Sequence, residues 1–153
     1  MRSAPQDMFV DFRPVSKKQQ VNLHHLLAHD TRPKRGGSDE ARWVRNLLRA
    51  RAARADFFNA ELFADPAWDL LLSLYAAGIE QTRVAINELS LACRVPLTTA
   101  LRWIGALQKE GLNVRKPDPH DARRIFVSLS AEGSQAVRAY FGSLPATHYP
   151  FSE

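Results

Sequence analysis

Residues 107–133 read LQKEGLNVRKPDPHDARRIFVSLSAEG, and the period of the chain changes twice within them. A helical run stops at Gly111, a residue suited to the position after a helix end. The runs LNVRK and RIFVSL are short, rich in β-branched and apolar residues, and joined by PDPHDA, a pattern that predicts a two-stranded hairpin. Strand alternation places Ile125, Val127 and Leu129 on the core face and Arg124, Phe126 and Ser128 on the other. Ser130 then suits the N-cap of a helix over AEGSQAVRAYF, with Ala136, Val137 and Tyr140 facing inward. Arg115 and Lys116 precede the turn and Arg123 and Arg124 follow it, four like charges that either bathe in solvent or meet a polyanion.

Upstream of the hairpin the periodicity is helical. Asp65-Pro66 is a cap followed by a first-turn proline, opening a helix with Trp68, Leu71, Leu72 and Tyr75 on one face. VAINELSLACRV predicts a short helix capped by Asn87 that buries Leu89, Ala92 and Cys93. After Val95-Pro96, LTTALRWIGALQKEG forms another, with Ala100, Trp103 or Ile104, and Leu107 inward. A long helix over 38–64 is expected before these, from the apolar spacing of Trp43, Val44, Leu47, Leu48, Phe58 and Leu62 behind a Ser38 cap. Residues 1–37 are expected as a basic, turn-rich N-terminal arm. The remainder, 38–153, is expected as one domain: the long helix, a helix–helix–hairpin core over 65–130, and a C-terminal helix and tail over 131–153. The fold class is mostly α with a small β-hairpin wing, a winged helix-turn-helix.

With 153 residues, 45% apolar and 24% charged, the chain suits one globular domain. The N-terminal MRSAPQDMFV lacks the apolar stretch of a secretory signal and no run is long enough to span a bilayer, so a cytoplasmic location with no membrane partner is expected. Cys93 is the single cysteine, which excludes an intrachain disulfide and a four-cysteine zinc site. Its apolar neighbours in LSLACRV favour a small packed residue over a reactive thiol. Charge is unevenly spread. Residues 1–55 hold 12 Lys/Arg against 5 Asp/Glu, residues 56–93 hold 1 against 6, and residues 94–153 hold 8 against 5. Two basic regions flank an acidic middle, a polarity that steers one face toward a polyanion.

The motif residues Leu107, Gly111, Leu112 and Arg115, then Asp118, Asp121 and Arg123, then Val127, Leu129, Ser130 and Gly133, resemble the multiple antibiotic resistance regulator (MarR) family of bacterial transcription factors. The likeness spans residues 66–141. It implies a homodimer that regulates transcription by binding double-stranded DNA, with a recognition helix at about 97–110 in the major groove and a basic wing at about 113–129 beside the minor groove. By position, Thr98, Thr99 and Arg102 would face base edges and Arg123 would approach the minor groove. Arg115, Lys116 and Arg124 would contact phosphates, and Asp121 would pair with Arg123 or brace the wing turn. The family also implies a small aromatic effector, for which Phe57, Phe58, Trp68 and Tyr75 are the candidate walls. This chain departs from the pattern at Pro96, where a capping Ser or Thr is usual, at Leu97 and Leu101, where polar residues are frequent, and in the short C-terminal region after Phe141.

The same residues admit a second reading, a winged-helix module for protein–protein contact. His25 and His29 have the i, i+4 spacing of a zinc pair, but no third ligand is evident, and no metal or cofactor is expected. Asp118, His120 and Asp121 occupy a turn, where aspartates serve as backbone acceptors. The chain holds no phosphate-cradling glycine loop, nucleophile elbow or paired-cysteine signature, and an enzyme is not expected.

Overall fold

A computed structural model describes residues 37–151. Helix α1 spans Gly37–Ala52, with Asp39 and Glu40 in its first turn complementing the positive end of the helix dipole. The expected continuation to residue 64 does not occur. The chain instead winds into two short 3-10 turns, Ala53–Asp56 and Ala60–Phe63. Three local bonds account for the stop: Arg54 Nε donates to the Arg51 carbonyl at 3.0 Å, and the Phe57 and Phe58 amides both donate to the Arg54 carbonyl. The Asn59 side chain then accepts from the Glu61 amide at 3.0 Å and starts the second turn.

Helix α2, Pro66–Ile79, begins as the sequence predicts, with the Asp65 carboxylate accepting from the Trp68 amide. It is buried on more sides than the expected single face. Leu70, Leu72, Leu74, Tyr75, Ala76 and Ala77 are all enclosed, because α2 runs between two cores. On one side Leu70 and Leu74 pack with Ile86, Leu89, Ile104, Leu107 and Val127. On the other, Leu72 and Tyr75 pack with Val44, Val137, Phe141 and Tyr149.

After α2 comes β1, Val84–Ala85, and helix α3, Ile86–Ala92. Asn87 does not cap α3. Ala85 occupies the cap position, and the Glu88 carboxylate reaches back to accept from its amide at 3.0 Å. Leu89 is buried as expected, whereas Ala92 is exposed and Cys93 only half-buried. Helix α4, Leu97–Lys109, turns Ala100, Ile104 and Leu107 inward and ends at Gly111, whose φ of +73° only glycine adopts freely. The Leu112 amide donates to the Leu107 carbonyl and the Gly111 amide to that of Gln108, a helix end closed by left-handed backbone.

Strands β2, Asn113–Pro117, and β3, Ile125–Leu129, pair antiparallel with Asn113 opposite Leu129 and Pro117 opposite Ile125. The two-residue β1 adds to β3, giving a three-stranded sheet in the order β1-β3-β2. Of the expected core-facing residues Val127 is buried and Leu129 half-buried, but Ile125 is 39% exposed. It pairs at the outer end of the hairpin, beyond the reach of the core.

Helix α5, Ala131–Gly142, is capped by the Ser130 hydroxyl, which accepts from the Gly133 amide at 2.9 Å. Its inward row is Gly133, Val137 and Phe141, not the expected Ala136 and Tyr140, which are exposed. The phase is set at the first turn. Gly133 lies directly on the Leu112 backbone, where a Cβ would stand 2.0 Å from the Leu112 carbonyl oxygen. Steps of four residues from that contact lead to Val137 and Phe141.

The residues after α5 fold back on α1 and α5. Tyr149 stacks on Phe141 with ring centroids 4.9 Å apart, and Trp43 sets its edge against Phe141, Tyr149 and Phe151. The hydroxyls of Tyr75 and Tyr149 donate to the same Glu40 oxygen, at 2.7 and 2.5 Å. Burial first, and the facing carboxylate second, raise the pKa of both phenols, so both remain donors.

Gly133→Ala is therefore expected to destabilise the fold by roughly 3 kcal/mol through overpacking against rigid backbone, read as a drop of about 10 °C in a circular-dichroism melt. An unchanged melt would show that the Leu112 backbone yields.

Candidate nucleic-acid interface

The outward side of α4 and the β2–β3 hairpin form the surface to which the sequence assigns the site. Leu97, Thr98, Leu101 and Arg102 are exposed on α4, while Thr99 is half-buried. The Arg102 guanidinium lies over the Trp103 ring, 5.6 Å from its centroid, a contact that holds the cation at the helix surface. Pro96 stands at the cap position with no side-chain bond, and the first backbone bond of the helix runs from the Ala100 amide to the Pro96 carbonyl at 2.9 Å.

Two groups fasten α4 to β2. The buried Asn113 side chain donates from Nδ2 to the Ile104 carbonyl at 2.9 Å, tying the strand to the middle of the helix. Two residues on, Arg115 presses its guanidinium against Gly105, where an added Cβ would meet Nη2 at 3.4 Å. Its Nε is buried without a hydrogen-bond partner. Arg115 thus lies at the helix–wing junction, half-buried, whereas Lys116 is exposed.

The hairpin tip is closed by its aspartates. Asp118 Oδ1 accepts from the His120 amide at 2.9 Å and Asp121 Oδ1 from the Arg123 amide at 3.0 Å. The Arg124 amide donates to the Asp121 carbonyl and the Asp118 amide to the Arg124 carbonyl, both at 2.9 Å. Asp121 thus bonds backbone groups of the turn through both its carboxylate and its carbonyl. Among the described residues no ion pair joins Asp121 to Arg123, and the Arg123 side chain is exposed.

Arg124 is committed elsewhere. Its Nη2 stands 2.5 Å from Glu88 Oε1, while the other carboxylate oxygen holds the Ala85 amide. The backbone bond from Ala85 first, and Arg124 after it, hold the Glu88 carboxyl below its ordinary range. Arg124 and Arg83 also flank the Phe126 ring, at 5.1 and 5.8 Å from its centroid. Glu88, Arg83 and Asn113 were not legible as site residues. The only advance signal was the three-residue step from Ala85 to Glu88, the spacing of a capping box.

The four proposed effector-site residues do not converge. Phe57 and Phe58 are exposed, Trp68 packs on Tyr140 and Phe141, and Tyr75 belongs to the core with Glu40. A cleft of about 420 Å³ lies elsewhere, bordered by Arg45, Arg49, Asp69, Ser73, Cys93 and Arg94. Burial raises the pKa of the Cys93 thiol, which meets Ser73 Oγ at 3.3 Å. Among the described residues no group of three or more His, Cys, Asp or Glu could hold a metal, and no helix is long and apolar enough to cross a membrane. The arm's His24, His25 and His29 lie outside the described residues.

A variant of MepR from a multidrug-resistant Staphylococcus aureus clinical isolate aligns over 82% of this chain and 75% of its own, with 19% identity and a TM-score of 0.50. The fold is that of the winged-helix regulators. The same protein in complex with DNA aligns over 60% of this chain and 67% of its own, at 23% identity and a TM-score of 0.46. A protein from Ralstonia eutropha JMP134 assigned as DNA-binding aligns over 51% and 98%, at 28% identity and 0.44. No protein-family model and no curated protein sequence matches the chain. In winged-helix terms α3 and α4 are the helix-turn-helix and β2–β3 the wing.

The Glu88 link gives a pH signature. A carboxyl whose pKa is lowered by folding contributes stability above its unfolded value, and that contribution disappears as the pH falls through the folded value, below 4.5. Glu88→Gln is expected to melt a few degrees below the parent chain at neutral pH, and the two melting curves should converge in acid. A constant gap down to pH 3 would assign the loss to something other than this carboxylate.

Proposed function

We propose that this chain is a MarR-like transcription regulator that binds double-stranded DNA as a homodimer. The observation that carries the reading is the exposed outer face of α4 beside a basic wing whose Lys116 and Arg123 have no carboxylate partner among the described residues. A duplex supplies counter-charges to both and admits a helix into its major groove. Thr98, Thr99 and Arg102 are assigned to base edges, Lys116 and Arg123 to phosphate or the minor groove. Arg124 and Arg115 contribute mainly by holding the wing. Support comes from the winged-helix fold shared with MepR, described as a transcription regulator of the efflux pump MepA. Binding, not catalysis, is the role, and no cofactor enters it.

The dimer face we assign is the segment between α1 and α2. Phe57, Phe58, Leu62 and Phe63 stand exposed there, Leu62 at 71%. The Trp43, Val44 and Leu47 part of the original apolar stripe is already covered by α2 and the C-terminal residues. That same patch favours the second reading, contact with a different protein, and the oligomeric state separates the two. The division of the chain into an arm over 1–37 and a domain over 38–153 is part of the proposal.

Arg102→Ala and Arg123→Ala are each expected to weaken duplex binding by roughly five- to a hundredfold, with Lys116→Ala lowering the slope of log affinity against log salt by about one. Fluorescence anisotropy over a salt series measures both, and salt-independent binding unaffected by these changes would refute DNA recognition. Light scattering at micromolar concentration should give a dimer that Phe58→Ser with Leu62→Ser converts to monomer. A monomeric parent chain would remove the two-half-site mechanism.

A further inference from the structure

Helix α4 carries two parallel rows on its solvent side. Thr98 and Arg102 make one. Leu97 and Leu101, also four residues apart, make the other, and each leucine is 42% exposed. These leucines take no part in either core, whose α4 contributions are Ala100, Ile104, Leu107 and the partly buried Trp103. An apolar row on an otherwise polar helix face calls for an apolar partner. Its surroundings restrict that partner: Arg102, next to Leu101 in the chain, and Lys109, at the end of the same helix, are exposed, neither with a carboxylate partner among the described residues. A wholly apolar protein groove would leave those cations desolvated, whereas a DNA major groove offers phosphates at its edges.

The apolar feature of an unmodified major groove is the C5-methyl group of thymine. Resting on the DNA-binding reading above, we propose that Leu97 and Leu101 read thymine methyl groups, so that the recognised duplex carries thymines beneath this row while Arg102 reads a neighbouring base edge. The departure from a polar recognition helix then changes the kind of readout: shape-matched apolar contact replaces part of the hydrogen-bond code. The two rows are side by side, so methyl contact and hydrogen bonding fall on adjacent steps of one half-site.

Deoxyuridine tests this directly, since it lacks only the methyl. Duplexes bound by the full chain would first be selected from a random pool, then remade with deoxyuridine at every thymine of the site. The parent chain should bind the deoxyuridine duplex more weakly, about fourfold for each contacted methyl. Leu97→Ala with Leu101→Ala should bind both duplexes equally while keeping the parent's salt slope. Leu97→Met with Leu101→Met, which keeps an apolar contact, should retain the preference for thymine. Melting curves check that the variants fold, which their solvent-facing positions favour. Equal binding of both duplexes by the parent chain, or a thymine preference that survives the double alanine change, overturns the proposal. An absence of salt-dependent binding to any duplex is a different result and overturns the DNA-binding reading beneath it.

Discussion

Five backbone and hydroxyl groups meet where α4 ends, and the domain is organised around them. The Ser130 hydroxyl donates to the Gly111 carbonyl at 2.6 Å and accepts from the Gly133 amide at 2.9 Å, while the Ser130 amide donates to the Leu112 carbonyl at 3.0 Å. The left-handed turn at Gly111 brings the chain out of α4, and the missing Cβ of Gly133 lets α5 start directly on that turn. Neither glycine is a surface convenience: one supplies a backbone angle, the other a vacancy the size of a side chain. Because β2 begins and β3 ends at this point, the same contacts set where the wing leaves the body and which face α5 turns toward the core. Phe141 is buried, and so contributes roughly 2–3 kcal/mol of apolar transfer, because the helix phase was decided two turns earlier.

The second core follows from that phase. With Phe141 inward, its ring receives Trp43, Tyr75 and Tyr149, and the two phenols find one acceptor in Glu40. A carboxylate beneath two raised-pKa phenols would be costly to bury without those donors. It therefore joins α1, α2 and the residues after α5 into one polar contact inside an aromatic cluster. That arrangement uses the surface of α1 that a continuous apolar stripe would otherwise offer to a partner, which leaves the aromatic residues beyond Ala52 as the uncovered part.

What was legible in the sequence divides along the same physical lines. Elements whose signals are local could be read: the Asp65-Pro66 start, the Gly111 stop, the Ser130 cap and the change of period at the hairpin each depend on neighbours in the chain. Features that depend on distant backbone were read incorrectly or missed. The inward face of α5 depends on Leu112, 21 residues before Gly133 and 25 before Val137 in the chain. The end of α1 is a local event that was missed for another reason: the bonds of Arg54 to the Arg51 carbonyl and of the Phe57 and Phe58 amides to the Arg54 carbonyl have no distinctive residue signal. Strand β1 has two residues and exists only because β3 offers it an edge. On the candidate site, the residue types were legible but their availability was not. Nothing in the sequence separated Arg123, left exposed by an aspartate that bonds only its amide, from Arg124, drawn to Glu88 thirty-six residues away.

That separation bears on how a basic wing can be both rigid and receptive. Seven cations lie in residues 94–124, and left unpaired they would repel one another. Instead Arg124 is neutralised by Glu88 and stacked on Phe126, and Arg115 is set against Gly105 beneath the helix. These two spend their charge on shape. Lys116 and Arg123, next to them in sequence but exposed, have no carboxylate partner among the described residues. Asn113 extends the same logic to the helix, since its bond to the Ile104 carbonyl makes α4 and β2 move together. A duplex meeting Arg123 would then meet α4 in a fixed register, and the row of Leu97 and Leu101 would fall on the same base steps each time. Apolar contacts carry little directional information of their own. Their selectivity for a methyl group requires a scaffold that fixes where the methyl must be, and the internal commitment of Arg115, Arg124 and Asn113 supplies it.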